Sequence, residues 1–211
     1  KPPQQNFKKL KIPTCIRYNE MWDINHTTDE IIKSQSNIII CHHKNDYLDY
    51  LDYFKHDKSK KFIYNPHHAS PEIFYNKGFA KTIDILVSGV TTCKHYPFKN
   101  RLLKIILKYK NTLLKDYNIV HHKHPGYNNE DSYTNINQIN YSNLINKSKI
   151  CITCSSKYNY RLGKYVEIPM CGSVICGDLP YEDQEEFKNF IIEVNNNMTD
   201  NEIITKIIFY L

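Results

Sequence analysis

The stretch KYVEIPMCGSVICGDLP, residues 164–180, places Glu167 in an apolar segment, follows it with a Pro-Met-Cys-Gly bend, and then enters a short apolar run. The run SVICG predicts a buried strand, because polar residues do not alternate with its apolar ones. Gly172 is typical of a sharp turn between a helix and a strand. The pattern predicts a helix, a turn and a buried strand, with a carboxylate just ahead of the core.

The same alternation of short apolar runs and segments of helical period extends over almost the whole chain. Strands are expected at residues 12–18, 37–41, 61–64, 83–89, 117–121, 149–155, 173–177 and 190–194. Continuous apolar strands separated by helices are typical of parallel sheets with helices on both faces. The sequence therefore predicts an α/β fold of Rossmann-like type. Thr and Asp in TTDEIIK and in MTDNEIITKIIFYL favour helix starts.

The segment NPHHASPEIFYNKG, residues 65–78, interrupts this periodicity with two prolines, paired histidines and a glycine. We expect a partial N-terminal α/β segment over residues 1–64, a linker over 65–80 and a C-terminal Rossmann-like domain over 81–211. The first has too few predicted strands for a complete doubly wound domain, whereas the last approaches a full nucleotide-binding half. The polar start KPPQQN, without an initiator Met, indicates a piece of a longer chain with further domains.

Composition limits the classes of protein to consider. The chain has 211 residues, 41% of them hydrophobic, which is enough to bury a core. Every apolar run is shorter than the roughly 18 residues of a membrane span, and no signal-like segment is present, so we expect a cytoplasmic protein. The net charge of +6 is interspersed, which favours an anionic small molecule over nucleic acid. Abundant Asn, Lys, Ile and Tyr indicate an AT-rich source, such as a large DNA virus or a protist.

Two loops after predicted strands have the residues of an anion site. In doubly wound folds, ligands bind at the carboxyl ends of the parallel strands. Gly89 ends the run IDILVSG and permits a close backbone approach, and the following helix carries Lys99 and Arg101 in its early turns. Ser155 ends the run KICITCS, and a predicted helix carrying Arg161, Lys164 and Glu167 follows it.

At this point the chain resembles a known family. Residues 167–175, EIPMCGSVI, are similar to the pattern E-A-x-A-C-G-x-P-V-I of GT-B nucleotide-sugar glycosyltransferases, in particular the group-1 and spore-maturation-type enzymes. Residues 84–89, 96–101 and 121–127 also resemble this family, and the whole resemblance covers roughly residues 62–195. It implies transfer of a sugar from a nucleotide-diphosphate sugar to a hydroxyl of a glycan or protein, without a cofactor. Because the sequence offers no convincing Asp-x-Asp metal motif, we expect this transfer to be metal-independent.

The resemblance also implies roles for particular residues. Glu167 would bind the ribose hydroxyls of the donor, and nearby cations would neutralise the leaving diphosphate. Retaining members often carry a second Glu eight positions earlier, where this chain has Asn159, so the donor-sugar contacts and the anomeric outcome do not carry over. The expected donor site consists of Glu167, Gly89, Arg101, Ser155, Arg161, Lys164 and Gly172.

The candidates for a general base lie in the N-terminal segment. His42 and His43 follow the strand 37–41 directly, and imidazole titrates near neutral pH. Glu20 and Asp23 follow the first strand and compete for the same role. A pair of surface histidines is an equally good interpretation of His42 and His43.

Each site prediction has a plainer alternative. Glu167 could be a surface residue at a helix end, and Gly89 and Gly172 could be turn residues only. Cys151 and Cys154, together with the paired histidines, raise the possibility of zinc. However, residues three apart in a strand point to opposite faces, and we predict no metal site.

The alternative function is a non-catalytic Rossmann-like module that holds a nucleotide or a protein. Asn159, in place of a second Glu, and the short N-terminal segment favour it. A dehydrogenase ranks below both, because no strand–helix junction carries the G-x-G-x-x-G fingerprint. Nucleic-acid binding ranks lowest, for want of a recognition motif.

Overall fold

The computed structural model describes residues 12–92, 94–124 and 135–211. The chain divides into two compact units, a first unit ending at His67 and a second unit running from His68 to Leu211. Each unit contains one parallel sheet flanked by helices, which confirms the predicted α/β class. The stretch KPPQQN and residues 125–127 of the family-like stretch lie outside the described residues.

The first unit has a three-stranded sheet in the order β1-β2-β3. Its elements are β1 (Cys15–Tyr18), α1 (Ile24–Ser34), β2 (Ile38–Cys41), α2 (Lys44–Tyr53) and β3 (Lys61–Tyr64). Ile39 of β2 packs in one core with Ile31 of α1 and Tyr50 of α2. The sequence predicts a helix start in TTDEIIK, but α1 begins earlier, at Ile24. The carboxylate of Asp23 caps this helix by accepting a hydrogen bond from the backbone N–H of His26.

The second unit has a five-stranded sheet in the order β5-β4-β6-β7-β8, and every neighbouring pair is parallel. Its strands are β4 (Ile83–Gly89), β5 (Ile119–Lys123), β6 (Ser148–Ile152), β7 (Val174–Gly177) and β8 (Ile191–Glu193). The chain runs from β4 outward to β5 and then returns to the other side of β4 for β6. This reversal creates the crevice in which doubly wound folds bind ligands.

Helices cover both faces of this sheet, as the sequence predicts. They are α3 (Pro97–Tyr109), α4 (Asn135–Asn146), α5 (Lys164–Met170), α6 (Gln184–Phe187) and α7 (Asp200–Phe209). Ile85 and Val87 of β4 pack in one core with α3 and α7, whereas Leu86 packs in another with α4 and α5. The predicted start of α7 is confirmed, because Thr199 forms a capping box there. No helix in the described part of the chain is long and apolar enough to cross a bilayer.

The segment between β6 and α5 differs from the prediction. The helix expected to include Arg161 begins only at Lys164, and the strand expected to include Cys154 ends at Ile152. Ser156 and Asn159 adopt left-handed backbone conformations, with φ of 65° and 57°. A helix cannot include such residues, so none begins before residue 160, and α5 begins only at Lys164.

Candidate functional site

A cavity of about 800 Å³ lies at the carboxyl ends of β4 and β5, bounded by α4 and α5. Its volume is that of a small-molecule site, and it lies beside the point where the strand order reverses. The residues that matter for its chemistry are Gly89, His122, His124, Tyr141, Lys164 and Glu167. Sequence reasoning expects three of them, Gly89, Lys164 and Glu167, and the structure brings these three together.

Gly89 allows two cationic side chains to lie over the end of β4. Its φ is +80°, a left-handed conformation that favours glycine. A Cβ at this position would lie 3.2 Å from Cε of Lys164 and 3.6 Å from Nζ of Lys99. The two lysines come from α5 and α3, and the absence of a side chain at Gly89 lets them converge.

Lys99 is a buried cation, with only 3% of its surface exposed. Its ammonium donates to the carbonyl of Ser88 at 3.4 Å and lies 4.7 Å from the ring centroid of Tyr96. Burial, and secondarily the charge of Lys164, lower the pKa of Lys99 to about 8. An anion bound beside Lys99 would offset both the cost of burying its charge and the repulsion from Lys164.

Lys164 is held by an aromatic hydroxyl. Its Nζ donates to Oη of Tyr141 at 2.6 Å and lies 4.2 Å from the centroid of the same ring. Burial by itself would lower the pKa of Lys164, but Tyr141 and Glu167 outweigh it, so the pKa is raised. Lys164 is therefore charged at neutral pH.

Glu167 lies on the cavity wall, one helical turn after Lys164. Its carboxylate folds back toward the start of α5, where a Cβ on Gly163 would lie 3.1 Å from Oε1. The plainer interpretation of Glu167, a surface residue at a helix end, does not describe this position. Binding of ribose hydroxyls by Glu167 stays a prediction.

Two histidines at the end of β5 complete this part of the cavity. The ring of His122 stacks on Tyr141, with centroids 6.2 Å apart and an interplanar angle of 21°. Burial, followed by the charges of Lys164 and Lys99, lowers the pKa of His124. Neither Tyr141 nor the two histidines is expected as a donor ligand from the sequence. The available signal is the polar run HHKH directly after an apolar strand.

Arg101 is not part of this group, contrary to the sequence expectation. One guanidinium nitrogen donates to the carbonyl of Met198 at 2.7 Å and to Oδ1 of Asp200 at 3.0 Å. The side chain thus links α3 to the start of α7. The reason is helical geometry, since Lys99 and Arg101 are two residues apart and point roughly 200° away from each other around the helix axis.

Arg161 also lies away from the lysine pair. The sequence predicts Arg161 and Lys164 on one helix. Arg161 instead precedes α5 and therefore shares no helix face with Lys164. Its Nε lies 3.5 Å from a carboxylate oxygen of Asp183, and its backbone N–H donates to Glu182. The loop conformation directs this cation toward the segment that follows β7.

Ser155 connects two strand ends instead of lining the cavity. Its backbone N–H and its hydroxyl donate to the carboxylate of Asp178 at 2.8 and 2.7 Å. The hydroxyl of Tyr165 donates to the carbonyl of Asp178 at 2.6 Å, and burial raises the pKa of the Asp178 carboxyl. Asp178, which immediately follows β7, was not expected from the sequence.

Gly172 acts as a turn residue. It has a φ of +69°, and a Cβ there would lie 2.9 Å from side-chain atoms of Asn76. Because Gly172 precedes β7, it lies at the amino edge of the parallel sheet, opposite the cavity.

The predicted general bases belong to the first unit. His42 and His43 are both buried, at 3% and 0% exposure, so their interpretation as a surface pair is wrong. Nδ1 of His42 lies 2.6 Å from the carbonyl of Asn65, and its ring stacks on His67. Glu20 is exposed. A catalytic role for any of the three stays a prediction.

Within residues 12–92, 94–124 and 135–211, no three His, Cys, Asp or Glu side chains are grouped to hold a metal ion.

Comparison with solved structures finds a similar fold. The chain is similar to the pneumococcal O-GlcNAc transferase GtfA in complex with UDP and GlcNAc, with a TM-score of 0.53 and 12% identity over 90% of this chain and 40% of that chain. The crystal structure of the GtfA/B complex has a TM-score of 0.48 at 15% identity, with the same coverage. No protein-family model and no curated protein matches the sequence. The chain thus spans about 40% of the length of these solved structures, and the similarity concerns the fold alone.

Proposed function

We propose that this chain is the donor-binding part of a glycosyltransferase, which moves a sugar from a nucleotide-diphosphate sugar to a hydroxyl acceptor. The observation that carries the proposal is the convergence of Lys99 and Lys164 over Gly89, with Glu167 on the same cavity wall. The fold shared with GtfA supports it and makes uridine nucleotides the first ligands to test. The narrower assignment to group-1 or spore-maturation-type enzymes rests on residues 167–175 alone.

The proposed chemistry follows from the charges. When the bond between the sugar and the diphosphate breaks, negative charge develops on the leaving phosphate oxygens. Two ammonium groups already fixed at the strand end stabilise that charge without having to reorganise, an effect typically worth several kcal/mol. The cations Lys99 and Lys164 can neutralise the diphosphate, which is why we propose a metal-independent reaction. The Glu167 carboxylate can accept hydrogen bonds from two neighbouring ribose hydroxyls.

Titration calorimetry tests the binding site. Lys164→Met should weaken binding of UDP and other nucleoside diphosphates about a hundredfold, which corresponds to the loss of a charge-assisted contact of about 2–3 kcal/mol. Glu167→Ala should weaken nucleoside diphosphates about tenfold and inorganic pyrophosphate less, because pyrophosphate has no ribose. Lys104→Met and Glu186→Ala are matched controls, since both side chains are exposed. Unchanged affinity in both site variants would overturn the proposed site.

The second candidate is a binding module without turnover. Asn159, which stands where retaining relatives carry a second Glu, favours this alternative. A transfer and hydrolysis assay over a panel of nucleotide sugars separates the two. Consumption of a bound donor supports the transferase, whereas tight binding of donors that are never consumed supports the module.

A further inference from the structure

Tyr141 engages the same ammonium group in two ways. Its Oη lies 2.6 Å from Nζ of Lys164, and its ring centroid lies 4.2 Å from that nitrogen. The same Oη lies 2.9 Å from Oγ of Ser88, which directly precedes Gly89. Tyr141 thus connects α4 to α5 and to the end of β4.

The direction of the hydrogen bond between Lys164 and Tyr141 follows from the chemistry of the groups. An ammonium can only donate, so Oη of Tyr141 accepts from Lys164. Between Oη of Tyr141 and Oγ of Ser88, either hydroxyl can be the donor. The result is a chain of hydrogen bonds from Lys164 through Tyr141 to the end of β4.

We propose that Tyr141 is a positioning residue that holds the ammonium of Lys164 over Gly89, ready to meet a diphosphate. This inference rests on the proposed function. It assigns Tyr141 no contact with the ligand, so its effect acts entirely through Lys164.

Lys164 requires such a restraint because its surroundings would otherwise displace it. A lysine side chain has four rotatable bonds, and ordering it costs conformational entropy. The second cation, Lys99, converges on the same glycine and repels Lys164. A fixed acceptor and the face of an aromatic ring oppose both effects.

Tyr141 is itself held in place. Its ring contacts Phe74, with centroids 6.4 Å apart and an interplanar angle of 72°, and His122, with centroids 6.2 Å apart and an angle of 21°. These contacts involve only the ring. Tyr141→Phe therefore keeps the packing and removes the hydroxyl alone, which makes it the decisive variant.

Five titratable groups in the described part of the chain influence, or are influenced by, the charge of Lys164. They are Tyr141 of α4, Glu167 of α5, Cys151 of β6, Lys99 of α3 and His124 after β5. Tyr141 and Glu167 raise the pKa of Lys164 against the effect of burial. Loss of the Tyr141 hydroxyl should therefore lower the pKa of Lys164, while the other groups remain.

The first test needs no ligand. Acetylation of Lys164 by acetic anhydride is followed by mass spectrometry over a range of pH, because only the neutral amine reacts. In Tyr141→Phe, Lys164 should react severalfold faster at a given alkaline pH, because loss of the hydroxyl lowers the pKa of Lys164. Lys104 is the internal reference. Tyr109→Phe is the matched control, because it removes a hydroxyl that donates to Asn201 at 2.5 Å. Equal reactivity of Lys164 in wild type and Tyr141→Phe would overturn the inference.

The second test measures binding of inorganic pyrophosphate. Tyr141→Phe should bind it about tenfold more weakly at neutral pH, and the ratio of variant to wild-type Kd should increase toward alkaline pH. Using the ratio cancels the ionisation of the ligand, which is common to both proteins. Equal Kd values at every pH would contradict the positioning role. If wild type binds no diphosphate at all, the proposed function falls, while acetylation still decides whether Tyr141 holds Lys164.

Discussion

Replacement of Lys99 by methionine should stabilise the protein and weaken diphosphate binding at the same time. Lys99 is 3% exposed, and the cation Lys164 converges with it on Gly89. Folding therefore removes water from a charged group without placing an opposite charge beside it in the described contacts. Methionine keeps most of the aliphatic stem and removes the charge.

The magnitude follows from the pKa of Lys99, which burial and Lys164 lower from 10.5 to about 8. At about 1.4 kcal/mol for each pH unit, this corresponds to a destabilisation of at most about 3 kcal/mol whenever Lys99 is charged in both states. Between about pH 8 and pH 10.5, the unfolded chain binds more protons at Lys99 than the folded one. The stability of wild type should therefore rise with pH in this window, because of Lys99, and the variant should lack that contribution.

Urea unfolding at about pH 7 and about pH 9.5 measures both effects. At the lower pH, Lys99→Met should have a free energy of unfolding up to about 3 kcal/mol above that of wild type. At the higher pH, the difference in free energy of unfolding between the two proteins should be smaller. Calorimetry at neutral pH should show diphosphate affinity at least about tenfold lower. Lys104→Met, an exposed lysine of the same helix, is the control. A variant less stable than wild type at neutral pH, or a gap that does not change with pH, would refute the reasoning.

Three further substitutions separate the site from the scaffold. Arg101→Ala should leave diphosphate affinity unchanged and lower the free energy of unfolding by about 1 kcal/mol, because its partly exposed pair with Asp200 is lost; weaker binding in calorimetry would contradict its placement. Gly89→Ala should destabilise by about 1 kcal/mol or more and weaken binding, since the new methyl group meets Lys164; wild-type affinity for pyrophosphate would argue against the site. Thr199→Ala should cost about 1 kcal/mol in urea unfolding through the lost helix cap, without affecting binding; unchanged stability would count against the cap.

The fold and two parts of the site can be predicted because they depend on local patterns. A continuous apolar run predicts a buried parallel strand, and the carboxyl ends of such strands lie at one edge of the sheet. Gly89 ends one of these strands, so its position near the cavity follows from the sequence. Glu167 is expected there from a motif that the family resemblance supplies, and the structure places it on the cavity wall.

The same local patterns do not predict which of the candidate cations reaches the cavity. Arg101, Arg161 and Lys164 are equivalent candidates in the sequence, yet only Lys164 reaches Gly89. The buried Lys99 takes the place expected for Arg101, because two residues on one helix point in nearly opposite directions. Arg161 does not reach the cavity because it lies in the loop before α5, outside the helix that carries Lys164.

The sequence by itself determined the α/β class, the parallel strands and the strand ends near which a ligand can bind, since each of these depends on residues close together in the chain. Only the tertiary structure decided which charges meet. Tyr141 contacts Lys164 across 23 positions and Ser88 across 53. Such contacts depend on how strands order themselves in a sheet and how helices pack over it, and no local pattern of residue types encodes that order.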